Sequence, residues 1–113
     1  YKNIIYIYKM LLSLLVELIG TFVFLSVIIK TGEAIPIGIA LAAVILMGGS
    51  VSGGHFNPAV SVMMYLHNKI DLPRLVTYVI TQCLGGILAL LLFRTELSFG
   101  SNRVKIQAFR NKQ

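Results

Sequence analysis

Three long apolar stretches alternate with short polar connections along the chain. Leu11–Ile29 reads LLSLLVELIGTFVFLSVII, 19 residues with a single charge at Glu17. Leu75–Phe93 reads LVTYVITQCLGGILALLLF, 19 residues with no charge. Each matches the roughly 20 residues a helix needs to cross about 30 Å of hydrocarbon. Between them Ile35–Val51, IPIGIALAAVILMGGSV, is uncharged and 17 residues long, at the lower end of the spanning range. It is rich in small residues, which let helix backbones approach closely in lipid. The pattern predicts three transmembrane helices. The first run is too long for the apolar core of a signal peptide, and no cleavage site leading into a polar domain follows it.

Ser52–Asn68, SGGHFNPAVSVMMYLHN, breaks the pattern because it is too polar at its start and too short to span. It opens on Gly53 and Gly54 and continues to Asn57 and Pro58. Asn is a strong helix N-cap and Pro is favoured in the first helical turn. A helix of about three turns is therefore expected from Asn57, ending near His67–Asn68. Asp71, Leu72 and Pro73 then start the last helix. Thr95–Gln113 is polar and basic without strong periodicity, and reads as loosely ordered.

Composition narrows the function classes. The chain of 113 residues is 57% hydrophobic and 12% charged, with a mean hydropathy of +0.84. Soluble domains carry about 25% charged residues, so a soluble enzyme, a nucleic-acid module and a disordered tail are disfavoured. The net charge of +6 is carried at the chain ends and in the connections, where membrane proteins keep their cations. The single cysteine, Cys83, excludes an internal disulfide and a cysteine metal cluster. It reads as buried and inert. Met47, Met63 and Met64 read as packing residues. No nucleophile with a base, no phosphate loop and no metal-ligand spacing appears, so no enzyme, cofactor or metal site is expected.

A short helix behind a glycine-rich turn, set between spans, has the pattern of a re-entrant half-helix. Irregular backbone survives at membrane depth only where protein or a water-filled cavity satisfies it. In that arrangement the carbonyls of Gly53, Gly54, His55 and Phe56 form a ladder of acceptors. The Asn57 oxygen caps its own helix, leaving the amide hydrogens to donate to a passing water or hydroxyl. The helix N-terminus carries about half a positive charge and repels cations. Gly-Gly and Asn-Pro alone also fit an interfacial amphipathic helix after a flexible loop.

The full string favours the first reading. SGGHFNPAVS resembles the first signature loop of the aquaporin/aquaglyceroporin (major intrinsic protein) family, with Asn57, Pro58 and Ala59 as its Asn-Pro-Ala. Val16–Leu25, VELIGTFVFL, is similar to the family's first helix with its Glu. Thr77–Leu92, TYVITQCLGGILALLL, is similar to its third helix with Gln and a Gly pair. The resemblance covers Leu11 to about Phe93. It implies one half of an inverted repeat, in which two Asn-Pro-Ala half-helices meet at the midplane. The second Asn-Pro-Ala and the Arg that follows it in the family do not occur in this sequence.

The resemblance also assigns roles. Glu17 and Gln82 are expected to brace the loop, and His55 to line the pathway through its carbonyl. Counted back from Asn57 without a gap, the second-helix filter position falls on Ile37. If this half also served as the second repeat, the filter His and Arg positions would fall on Ile45 and Val60. That lining has no ring and no fixed cation, which suits small neutral solutes better than water alone. Gly20, Gly38, Gly85 and Gly86 read as helix-crossing residues.

The expectation is an all-α, multi-pass membrane protein with three transmembrane helices and one re-entrant half-helix. Residues 1–10 form an N-terminal extension, 11–94 a half-aquaporin-like membrane domain and 95–113 a basic tail. Its partners are membrane lipid, water or a small neutral solute, and a second half, supplied by a homo-oligomer or by a complementary chain. The function expected is that of a passive channel subunit. The alternative is a non-conducting fragment or a membrane interaction protein.

Overall fold

The computed structural model describes all 113 residues, Tyr1–Gln113, and is all-α. Its helices are α1 (Lys2–Thr31), α2 (Ala34–Ser52), α3 (Pro58–Leu66) and α4 (Leu72–Arg110). Three of them, α1, α2 and α4, are long and apolar enough to cross a membrane. At 1.5 Å per residue the nine residues of α3 reach about 14 Å, less than half of the hydrocarbon.

The helix ends follow local chemistry. Gly32 stops α1 in the left-handed conformation, its N–H donating to the Ile28 carbonyl at 3.0 Å. Gly53 ends α2 in the same way on the Gly49 carbonyl. Asn57 caps α3, its Oδ1 accepting from the Ala59 N–H at 2.9 Å, with Pro58 in the first turn. Asp71 caps α4 through the Arg74 N–H at 2.9 Å.

Two helices run further than hydropathy suggests. α1 continues back through Ile4, Tyr6 and Tyr8 to Lys2, and α4 continues through the basic tail to Arg110. Hydropathy tracks where lipid lies, whereas a helix ends only where a residue or cap stops it. Between Phe93 and Arg110 there is no proline, and the lone Gly100 costs only about 1 kcal/mol. A Lys30–Glu96 ion pair of 3.0 Å also ties the start of this extension to the end of α1.

α1 packs against both α2 and α4, and α3 packs against α4 alone. α2 and α3 do not pack on each other, so that side of the molecule is open. At the α1–α4 crossing, a Cβ on Gly85 would lie 3.0 Å from the Leu18 carbonyl oxygen. Gly20 lies so close under the Phe56 ring, and Gly48 so close to Val16, that neither has room for a Cβ. Gly38 faces open space and takes part in no crossing within the chain. Cys83 is exposed rather than buried, because Tyr78, Gln82, Gly85 and Ala89 form the inward stripe of α4. Met47 and Met63 are exposed as well. The buried set is unusual for its polarity: Ser13, Glu17, Thr21, Ser52, His55, Ser61 and Gln82 lie inside, while leucines and isoleucines cover the surface.

Candidate functional site: a braced loop beside an open groove

The polar interior is organised around residues 52–57. On α1, Ser13, Glu17, Gly20 and Thr21 recur at helical spacing and face inward. On α4 the matching stripe brings Tyr78 and Gln82 to the same place. Glu17 is fully buried, and its carboxylate accepts four hydrogen bonds. Oε1 takes the Ser52 hydroxyl at 2.7 Å and the His55 N–H at 3.0 Å. Oε2 takes the Phe56 N–H at 2.6 Å and the Gln82 amide at 3.0 Å. A buried charge is tolerated only when its lone pairs are satisfied in this way.

The remaining bonds close the network. Gln82 Nε2 also donates to Ser61 Oγ at 2.9 Å, and Ser61 Oγ lies 2.9 Å from His55 Nδ1. The Tyr78 hydroxyl donates to the Ser52 carbonyl at 2.6 Å, and the Gly54 N–H donates to Ser52 Oγ. The His55 ring meets Tyr78 edge to face, with centroids 5.1 Å apart. The His55 imidazole is therefore held inside the fold, and no three His, Cys, Asp or Glu side chains come together.

The loop backbone takes its shape from left-handed residues. Gly53 has φ 92°, Gly54 φ 65° and Phe56 φ 51°. Phe56 carries a Cβ into a region that disfavours it, a cost of order 1–3 kcal/mol. Its N–H on Glu17 and its buried ring against Gly20 hold it there. With the His55 and Phe56 N–H groups turned inward, the carbonyls of Gly53, Gly54, His55 and Phe56 receive no hydrogen bond from the protein. Asn57 is exposed, its oxygen taken by Ala59 and its amide hydrogens without a protein acceptor.

These unpartnered groups belong to the segment joining α2 to α3, the two helices that do not pack together. Ile45 is partly exposed on α2 and borders the loop, 3.6 Å from where a Gly54 Cβ would lie. Val60 is half-buried in the first turn of α3. Ile37 is half-buried too, but it sits about 12 Å further along α2 from Ile45. Ser13, Ser52, Ser61 and Tyr78 are members of this site that the sequence reading missed. A signal for three of them exists in the spacing. Ser13 precedes Glu17, Tyr78 precedes Gln82 and Ser61 follows Asn57, each by four residues and so on one helix face.

The profile of the major intrinsic protein family matches residues 30–112. The chain belongs to the major intrinsic protein family. Among its relatives, glycerol uptake facilitator protein-like 6 of Lactiplantibacillus plantarum is 40% identical over 84 residues, covering 66% of this chain and 39% of the relative. Aquaporin Z of Photorhabdus laumondii is 34% identical over 95 residues, covering 71% of this chain and 41% of the relative. Mouse aquaporin-4 is 45% identical over 51 residues, covering 45% of this chain and 16% of the relative. The chain thus spans about two fifths of the length of the first two. Three apolar helices in a major intrinsic protein make it an integral, multi-pass membrane protein of a non-enzymatic channel family.

Proposed function

We propose that this chain is one half of a passive membrane channel for water or small neutral solutes. In this reading residues 11–94 form the half-channel domain, flanked by the 1–10 extension and the 95–113 tail. α3 is a re-entrant half-helix that carries Asn57-Pro58-Ala59 to the membrane midplane. The observation that carries the reading is the loop itself. Glu17 takes its N–H groups on one side, while four successive carbonyls and the Asn57 amide stay unpartnered on the other. In hydrocarbon each such group costs several kcal/mol, so the groove beside them must hold water or solute.

The chemistry suits neutral cargo. A donor at Asn57 and a row of carbonyl acceptors offer a water or alcohol the hydrogen bonds it leaves behind. The half-helix N-terminus opposes cations and protons at the same depth. Ile37, Ile45 and Val60 line the route without a fixed charge, which favours small neutral solutes alongside water. Relatives named for glycerol uptake and for water support this cargo class.

α2 and α3 do not pack on each other, and in this reading a second half closes that side. A second copy of this chain in the opposite orientation would do so, setting two Asn57 half-helices head to head. Stopped-flow light scattering on proteoliposomes tests the site. Wild-type protein is expected to raise glycerol permeability above that of empty liposomes. Asn57→Asp, which puts an anion where a donor stood, is expected to abolish that flux or to admit cations. Unchanged neutral-solute flux and selectivity in Asn57→Asp would remove Asn57 from the pathway.

A further inference from the structure

A separate feature lies at the end of the bundle where the loop enters. Lys9, Lys69 and Arg74 gather there, and none makes an ion pair, since the chain's one salt bridge is Lys30–Glu96 at the far end. Of the four acidic residues, Glu17 is spent on the loop, Glu96 on Lys30 and Asp71 on the cap of α4, while Glu33 sits at the far end before α2. Arg74 is half-buried with its guanidinium over the Tyr78 ring, 5.9 Å from the centroid. No side-chain N–H of Arg74 reaches a protein acceptor. A guanidinium partly withdrawn from water with its donors unspent favours an oxyanion as partner.

The space around it is shaped for one. Arg74 is the common wall of two clefts. One, of about 330 Å³, is lined by Lys9, Ser13 and Ser50, with Leu12 and Val51 on its apolar side. The other, of about 480 Å³, is lined by His67 and Lys69 among others. Lys9 lies two residues before the first apolar run, and Arg74 immediately before the last. Both therefore stand at the depth of the lipid headgroups.

We propose that Arg74 and Lys9 form a phosphate-binding site in the headgroup layer, filled by an anionic phospholipid. The planar Arg74 fork takes the phosphate oxygens, and Lys9 adds a compact charge. Leu12 and Val51 meet the start of the acyl chains. Basic pockets between transmembrane helices suit such headgroups. The site does not depend on conduction by the groove.

Native mass spectrometry of the full chain, taken from nanodiscs of equal phosphatidylglycerol and phosphatidylcholine, tests this directly. Wild-type protein is expected to retain phosphatidylglycerol in preference to phosphatidylcholine. Each interfacial cation near an anionic surface is worth about 1 kcal/mol, or about fivefold in affinity. Arg74→Gln and Lys9→Gln should each reduce that preference by about fivefold, while Lys112→Gln leaves it unchanged. Should Arg74→Gln misfold, Lys9→Gln carries the test, since Lys9 is exposed on the surface of α1. Equal retention of both lipids by wild-type protein, or an undiminished preference in the folded variants, would overturn the proposal. Thermal protection by inorganic phosphate that Arg74 requires, without any lipid preference, would assign the site to soluble phosphate and overturn the headgroup source.

Discussion

Glu17 shows how one residue can organise a membrane protein. It takes four donors from three parts of the chain: Ser52 at the end of α2, His55 and Phe56 in the loop, and Gln82 on α4. Each buried donor left without a partner costs about 1–3 kcal/mol. Glu17→Ala is therefore expected to destabilise the fold by several kcal/mol and to collapse the monodisperse yield in detergent. Glu17→Gln keeps one acceptor oxygen and should retain an intermediate yield. Size-exclusion profiles of the two variants decide the matter, and equal yields would mean the loop is held by something else. The lone charge in an apolar run is legible in the sequence because an intramembrane carboxylate demands a partner. Of its partners, the loop backbone and Gln82 follow from the family resemblance, whereas Ser52 is an ordinary residue until the loop closes on it. The left-handed Phe56 has no signature at all.

At the scale of elements, caps and helix crossings set where the pieces lie. The Asn57 cap and Pro58 mark the start of α3 in the sequence because each acts within a single turn. The true ends of α1 and α4 were hidden, since the backbone carries on past the point where hydropathy falls. The Gly38 and Cys83 assignments failed for a related reason: helical spacing names a face, but not which neighbour covers it. Crossing geometry gives a matched pair of tests. Gly85→Val places atoms against the Leu18 carbonyl and the Phe22 N–H, and overpacking of this kind costs about 1–3 kcal/mol. Gly38→Ala meets nothing within 4 Å and is expected to be neutral within about 1 kcal/mol. Thermal unfolding in detergent compares them, and equal midpoints would refute the close α1–α4 crossing.

At the scale of the whole molecule, one side is unfinished. α2 and α3 make no packing contact, and the segment joining them carries carbonyls without a protein donor. An antiparallel copy requires both orientations of this chain in one membrane, and the charges allow it. The end with Lys2, Lys9, Lys69 and Arg74 opposes one with Lys30, Arg94, Arg103, Lys105, Arg110 and Lys112, and cations far from a span count least. Single cysteines at positions 31 and 69, on a Cys83→Ser background, are expected to be labelled from both sides of the membrane. Uniform one-sided labelling would exclude the antiparallel copy.

Flux against protein density tests the half-channel most directly. Glycerol permeability of proteoliposomes is measured while the protein-to-lipid ratio is lowered stepwise from high to low. A pore built from two copies of this chain predicts permeability rising with about the square of protein density when the protein is sparse, then approaching proportionality once dimers dominate. Permeability no greater than that of empty liposomes at every density, or strictly proportional from the lowest density upward, would contradict it.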